Sequence, residues 1–257
     1  MTATVVVLAG QGASTEYLAN ALRDKVEVAA YILEDVPSRS RMLKRRIRHL
    51  GLVPVIGQVV FVLFQKLILN RLARNRIGEL EEEYVLRRGY PDGTRMRFVQ
   101  SVNEAATLSL LQSLEPDLVV VNGTRIIARR VLEGVDAPFI NTHVGITPRY
   151  RGVHGGYWAI AEGQEALFGA TVHYVDPGVD TGEVIAQVTG TPHPRDSFPT
   201  YPVLQYGFVL PTLVDVIARM AQGETPKPSA PMAERSVQYF HPTLWGYLWR
   251  WITTGTR

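Results

Sequence analysis

The sequence predicts an α/β fold, a mostly parallel, doubly wound sheet with helices on both faces. Three observations point there. The chain opens as strand, glycine turn, helix, strand; two later apolar runs, Leu118–Asn122 and Phe139–His143, each lead into a turn; and helix-periodic stretches separate these runs. A strand–helix–strand unit of this kind implies a right-handed crossover between parallel strands.

The elements follow in order. Thr4–Ala9 (TVVVLA) is a β-branched run closed by Gly10, as a buried parallel strand should be. Ser14 or Thr15 is placed to cap the next helix, which runs through Leu18 and Leu22. Val26–Leu33 is the second strand. Arg39–Arg76 is basic, then apolar over Leu52–Leu69, then basic again, and is expected to form helices broken near Pro54 and Gly57. Glu79–Arg88 is charged and helical, Met96–Val99 a strand, and Asn103–Leu114 a helix that Pro116 ends. After the two buried strands come a helix at Gly155–Glu162, paired strands at Ala170–Asp176 and Val184–Val188, and a long apolar helix at Leu204–Ala221. Gly223–Pro231 is Pro-rich. The expected organisation is one catalytic unit over 1–222, carrying a basic helical insert at 36–98, followed by a linker and aromatic tail at 223–257.

Composition narrows the function. With 257 residues and 46% hydrophobic content the chain can bury a real core. It has no cysteine, which excludes disulfides, thiolate nucleophiles and Cys-ligated metals and fits a reducing compartment. The start, MTATVVVLAG, lacks the charged n-region of a signal peptide, so a cytoplasmic setting is expected. His143, His154 and His173 do not follow a metal-ligand spacing, and no metal is expected. Charge is uneven: Val36–Gly78 holds ten Lys/Arg and no Asp or Glu, and with +3 overall the rest of the chain is net −7. Three readings of Arg39–Arg76 stay open. It packs on the core or makes a dimer contact, it lies on a membrane surface, or it walls a phosphorylated substrate. The aromatic and basic modules of a nucleic-acid reader are missing, and no nucleic-acid partner is expected.

The chemistry gathers at three places. Asn141-Thr142-His143 ends a strand, and residues two apart on a strand point the same way. Pro148-Arg149-Tyr150-Arg151-Gly152 is a rigid loop before a helix, and Asp180 lies in Gly178-Val179-Asp180-Thr181-Gly182. Taken singly, the Asn and the Asp fit turns and the His fits a structural role. Together, an amide and an imidazole offer donors to a developing oxyanion, and a carboxylate favours the cationic imidazole and accepts a proton.

This ordered set, Asn-x-His, Pro-x-Tyr-Arg-Gly, then Asp-x-Gly, resembles the folate-dependent formyltransferases. That family includes glycinamide ribonucleotide, methionyl-tRNA and sugar-nucleotide N-formyltransferases. The resemblance spans Leu118–Gln187 and does not extend to Arg39–Val99. It implies a Rossmann-like formyltransferase core and 10-formyltetrahydrofolate as cosubstrate, with Asn141, His143 and Asp180 catalytic. It places the pterin against Gly123, Thr124, Arg125, Ile126 and Ile127, with Val179 on the opposite wall. For the acceptor, an amine that is phosphorylated or nucleotide-linked, Gly10, Gln11 and Gly12 follow the first strand, where a helix N-terminus can receive a phosphate, and Arg149, Tyr150 and Arg151 are the further candidates. A plain turn stays open for Gly10–Gly12, and a tight turn followed by a helix start at Ile126 and Ile127 stays open for the Gly123–Ile127 loop. The expected acceptor is a nucleotide-linked amino sugar. Methionyl-tRNA enzymes add a C-terminal domain, formyltetrahydrofolate hydrolases an N-terminal one, and glycinamide ribonucleotide enzymes lack the 39–99 segment. Glycinamide ribonucleotide or another small amine as acceptor, formyltetrahydrofolate hydrolysis and an inactive folate- or nucleotide-binding paralogue are the alternatives.

Overall fold

The computed structural model describes residues 3–36 and 39–257. In chain order the strands are β1 (Val5–Gly10), β2 (Val28–Glu34), β3 (Met96–Val99), β4 (Leu118–Asn122), β5 (Phe139–His143), β6 (Arg151–Gly152), β7 (Gly169–Tyr174), β8 (Val184–Thr189) and β9 (Gln238–Tyr239). The helices are α1 (Ala13–Leu22), α2 (Arg39–Leu50), α3 (Leu52–Phe64), α4 (Asn70–Glu83), α5 (Ala105–Leu114), α6 (Arg129–Leu132), α7 (Gly155–Ala161), α8 (Tyr201–Ala221) and α9 (Leu244–Thr254).

Seven strands form one sheet in the order β3-β2-β1-β4-β5-β7-β8. The first five are parallel, and β7 and β8 join antiparallel. Strand alternation splits β1 between two cores. Val5, Val7 and Ala9 face α1 and α8, whereas Val6 and Leu8 face the layer containing α5 and α6. Both faces being covered explains why the parallel strands read as continuous apolar runs.

Three expectations need correction. Neither Ser14 nor Thr15 caps α1. Gly12 is the N-cap, and Thr15 Oγ1 donates back to the Gly10 carbonyl at 2.7 Å. The 52–69 stretch is not broken at Pro54 or Gly57: α3 passes through a π-helical turn at Gln65–Leu69 into α4, giving one helix from Leu52 to Glu83. Pro54 stands in the first turn, where a missing N–H costs no helical bond. Gly57 marks a helix crossing, because a Cβ there would sit 2.3 Å from the Trp245 ring of α9. The charged helix then stops early, at Glu83, with Val85 left-handed (φ 54°).

This long helix has its own core. Phe61, Leu69, Leu80, Tyr157, Phe198 and Tyr247 form a third buried cluster, with Phe61 centred 4.8 Å from Phe198 and 5.0 Å from Tyr247. Each fully buried aromatic there contributes about 2–3 kcal/mol. Arg76 pins the helix further down, its Nε 2.7 Å from the buried carboxylate of Asp196. The side chains of Arg39, Arg41, Lys44 and Arg45, four of the ten cations, lie outside the described residues. The C-terminal segment is tied to the body along its length: Ser229 N donates to the Val184 carbonyl, β9 pairs with β6, and α9 packs on α3.

Candidate active site

The carboxyl ends of β1, β4 and β5, followed by β7, make a continuous ledge where an open α/β sheet binds ligands. Register places Ala9 beside Asn122, Val121 beside Asn141, and Asn141 beside His173. The three residues expected to act together do meet. Asp180 Oδ2 lies 3.5 Å from His143 Nδ1, and its Oδ1 lies 3.8 Å from His173 Nε2. Asn141 Nδ2 is 3.1 Å from the same His173 nitrogen.

Hydrogen bonding fixes the protons. His173 Nδ1 is 2.7 Å from the Tyr174 carbonyl, which only accepts, so Nδ1 carries hydrogen and donates. Burial is the main cause holding this imidazole's pKa below its usual value. The ring is therefore neutral, and its Nε2 accepts from Asn141, leaving the second amide N–H of Asn141 for a ligand. His143 Nε2 is 2.7 Å from the Tyr150 carbonyl, so it too donates. Its Nδ1 faces Asp180, and a proton there makes the ring a cation paired with that carboxylate.

Asp180 is held in place by its surroundings. Its backbone is left-handed (φ 49°), an uncommon state for a residue with a side chain, and Gly152 N donates to its Oδ2 at 2.9 Å. Arg151 braces the same loop, donating from Nη1 to the Val179 carbonyl at 2.9 Å and from Nε to Ser236 Oγ at 2.9 Å. Gly145 lets the chain pass under the imidazole, since a Cβ there would lie 2.6 Å from His143 Nε2.

The other expected residues divide. Gly10 meets the β4 loop: a Cβ on it would stand 2.5 Å from the Gly123 carbonyl. The Gly10–Gly12 turn and the Gly123–Ile127 loop are thus adjacent. Gln11 Nε2 donates to Asp35 Oδ1 at 3.2 Å. Gly123 is left-handed (φ 67°), Ile126 is half-exposed and Ile127 is buried. The Arg125 side chain turns away, donating from Nη2 to the carbonyls of Asp35 and Gln100 at 3.1 Å and pairing with Glu34. Thr124 Oγ1 donates to the Arg125 carbonyl at 2.9 Å. Arg149 and Tyr150 are not brought to the ledge by their side chains. Arg149 pairs with Glu162 at 2.5 Å, and the buried Tyr150 ring sends its hydroxyl to the same carboxylate. Tyr150 reaches the site through its backbone carbonyl alone.

Three residues escaped the sequence reading. His173, considered there only as a metal ligand, positions Asn141; the signal was its place in the strand that turned out to lie opposite. Glu34 clamps the β4 loop from behind, accepting from Arg125 N at 3.0 Å and Val102 N at 2.9 Å. Asn122 ties the ledge together, donating to Ser14 Oγ at 3.2 Å and Thr15 Oγ1 at 3.0 Å. His154 pairs with His241 at 2.9 Å. Trp158 stacks on Tyr239 with centroids 5.2 Å apart, and Tyr157 is core.

Comparison with known proteins identifies the family and the fold. The family model described as formyl transferase matches residues 57–201, more than half of the chain and starting inside the basic apolar segment. A methionyl-tRNA formyltransferase of Chloroflexus aggregans is 34% identical over 128 residues, 49% of this chain and 40% of that protein. A phosphoribosylglycinamide formyltransferase of Mycobacterium tuberculosis is 45% identical over 74 residues, 28% of this chain and 34% of that one. These matches thus span less than half the length of the curated relatives. Among solved structures, phosphoribosylglycinamide formyltransferase from Anaplasma phagocytophilum superposes with a TM-score of 0.59 at 17% identity, over 93% of this chain and 98% of that one. A sugar N-formyltransferase from Shewanella sp FDAARGOS_354 gives 0.58 at 14% identity, over 92% and 76%. The fold is shared with both, and by the family match this chain belongs to the formyl transferase family.

Proposed function

We propose that the protein transfers a formyl group from 10-formyltetrahydrofolate to a primary amine. The observation that carries this reading is the Asn141–His173 and His143–Asp180 cluster on one ledge beside the Gly123–Ile127 loop. That loop suits a flat heterocycle. Glu34 fixes it from behind, Gly10 and Gly123 keep its floor free of side chains, and Ile126 offers apolar surface. The cosubstrate supplies an activated formyl carbon on nitrogen.

The chain's own residues do the rest. The free N–H of Asn141 donates to the carbonyl oxygen as attack by the amine makes it negative, a contribution of about 3–4 kcal/mol for one such donor. His143, when cationic, adds its field to that oxygen. Its Nε2–H reaches the oxygen directly only by leaving the Tyr150 carbonyl. Asp180 accepts the proton that the amine loses as the new C–N bond forms. The old C–N bond breaks, and the same proton is delivered to the departing nitrogen. No covalent enzyme intermediate and no metal are needed.

The acceptor we propose is an amino sugar linked to a nucleotide, its phosphates reaching the Gly10–Gly12 turn at the N-terminus of α1, where backbone N–H groups and the helix dipole favour anions. The 45% identity to a phosphoribosylglycinamide formyltransferase favours glycinamide ribonucleotide as the second reading. Parallel assays with both acceptors and free amino sugars separate them. Turnover confined to the nucleotide-linked sugar supports the first reading, and turnover confined to glycinamide ribonucleotide replaces it.

A further inference from the structure

We infer that the protein docks on an anionic membrane surface through the outer face of the long helix and the aromatic face of α9. The helix from Leu52 to Glu83 is long and apolar enough to cross a bilayer. It does not do so in this fold, because Phe61, Leu69, Ala73 and Leu80 bind one side of it to the protein and Arg76 pairs with Asp196. The opposite side has no such cover: Val53, Ile56, Val60, Leu63, Leu67 and Leu72 are all exposed, Leu63 at 53% and Leu67 at 59%. Among the described residues the other helix long and apolar enough, α8, has most of its apolar window buried in the core.

A second observation extends the patch. Trp245, Trp249 and Ile252 lie four and three residues apart on α9, on one helical face, and all are exposed, Trp249 at 68%. Trp245 packs over Gly57, so this face runs directly into the exposed stripe of α3. Large exposed apolar patches mark interaction sites. A helix held flat with one apolar face, bordered by tryptophan and basic residues, has the design of an interfacial anchor.

Charge selects the partner. The 36–78 segment has ten cations and no acid, and among its described side chains Arg48, Lys66, Arg71 and Arg74 are exposed. An anionic lipid surface complements this distribution. A two-fold contact between copies would set the same patch against itself and bring two cation-only segments together.

The test is flotation of the full chain with phosphatidylglycerol–phosphatidylcholine vesicles and with phosphatidylcholine alone. The wild type should bind the anionic vesicles, more weakly as salt rises, and bind neutral ones at least roughly tenfold less. Leu63→Glu/Leu67→Glu, at exposed positions, should weaken binding by roughly tenfold or more while the melting curve stays unchanged. Quenching of tryptophan fluorescence by brominated lipid in the wild type needs no variant and should be strong. Absence of wild-type binding, undiminished binding by a folded variant, or lack of quenching overturns the inference. A wild-type dimer that the double substitution splits, with no vesicle binding, overturns it in favour of a second copy.

Discussion

Asn141 donates through Nδ2 to Nε2 of His173, 3.1 Å away on the adjacent antiparallel strand. This bond fixes which way the Asn141 amide faces and so where its remaining N–H points. His173→Ala should therefore lower kcat by roughly tenfold or more with little change in KM, since donor placement matters to the transition state. His173→Gln, which keeps an acceptor, should recover much of that loss. Equal loss in both variants would reduce His173 to a packing role.

Asn141→Ala should lower kcat by about 10²–10³-fold, the usual cost of removing an oxyanion donor, and His143→Ala by roughly tenfold or more through loss of the field it adds to that oxygen. Circular dichroism should be unchanged. Near-normal turnover in either folded variant removes that residue from the mechanism.

How much of this was readable in advance depended on range. β4 is an apolar run and β5 opens on Phe139-Ile140 before its polar end, and the bounds of both coincide in the sequence and the structure. Asn141, His143 and Asp180 were identifiable because their order and spacing are carried by short motifs. The His173 role was not, because it exists only through β5–β7 pairing, 32 residues apart in sequence. Arg149 is expected among the acceptor-binding residues, and nothing local reveals that Glu162 takes it. Gly57 looked like a helix breaker for the same reason: its partner Trp245 lies in a distant helix. Local chemistry was legible, and long-range pairing was not.

The pair His154 and His241 should make stability depend on pH. Burial, then His241 and Arg46, pushes His154 down to about 3; burial and Arg46 push His241 down to about 4. Unfolded, both return to about 6.5. Below that value the unfolded chain binds protons that the folded chain refuses, so stability is full above about pH 6.5 and is lost as pH falls toward 4. The loss from about pH 7 to 5 should be roughly 2 kcal/mol for each imidazole. Denaturant titrations across this range should show it. The slope should flatten in His154→Asn/His241→Gln, where Asn suits the left-handed backbone at 154 (φ 59°). An unchanged slope would mean other groups set it.

Arg76→Ala should destabilise the fold by about 3 kcal/mol. It leaves the buried Asp196 carboxylate, also bonded by His193 N at 2.8 Å, without its cation. Asp196→Asn added to Arg76→Ala should restore part of the loss. A midpoint shift under about 0.5 kcal/mol for the single variant, the range of ordinary surface changes, would show that the pair is idle.

Formyl transfer at the Asn141–His143–Asp180 ledge is open to mass spectrometry of an amine pool incubated with 10-formyltetrahydrofolate and either the wild type or Asp180→Asn. An acceptor heavier by one formyl group, with tetrahydrofolate released in equal amount, is expected in the wild-type reaction, and only trace product with Asp180→Asn. Wild-type protein that gives no formylated amine across nucleotide-linked amino sugars, glycinamide ribonucleotide and other primary amines, or a folded Asp180→Asn variant of full activity, would contradict it.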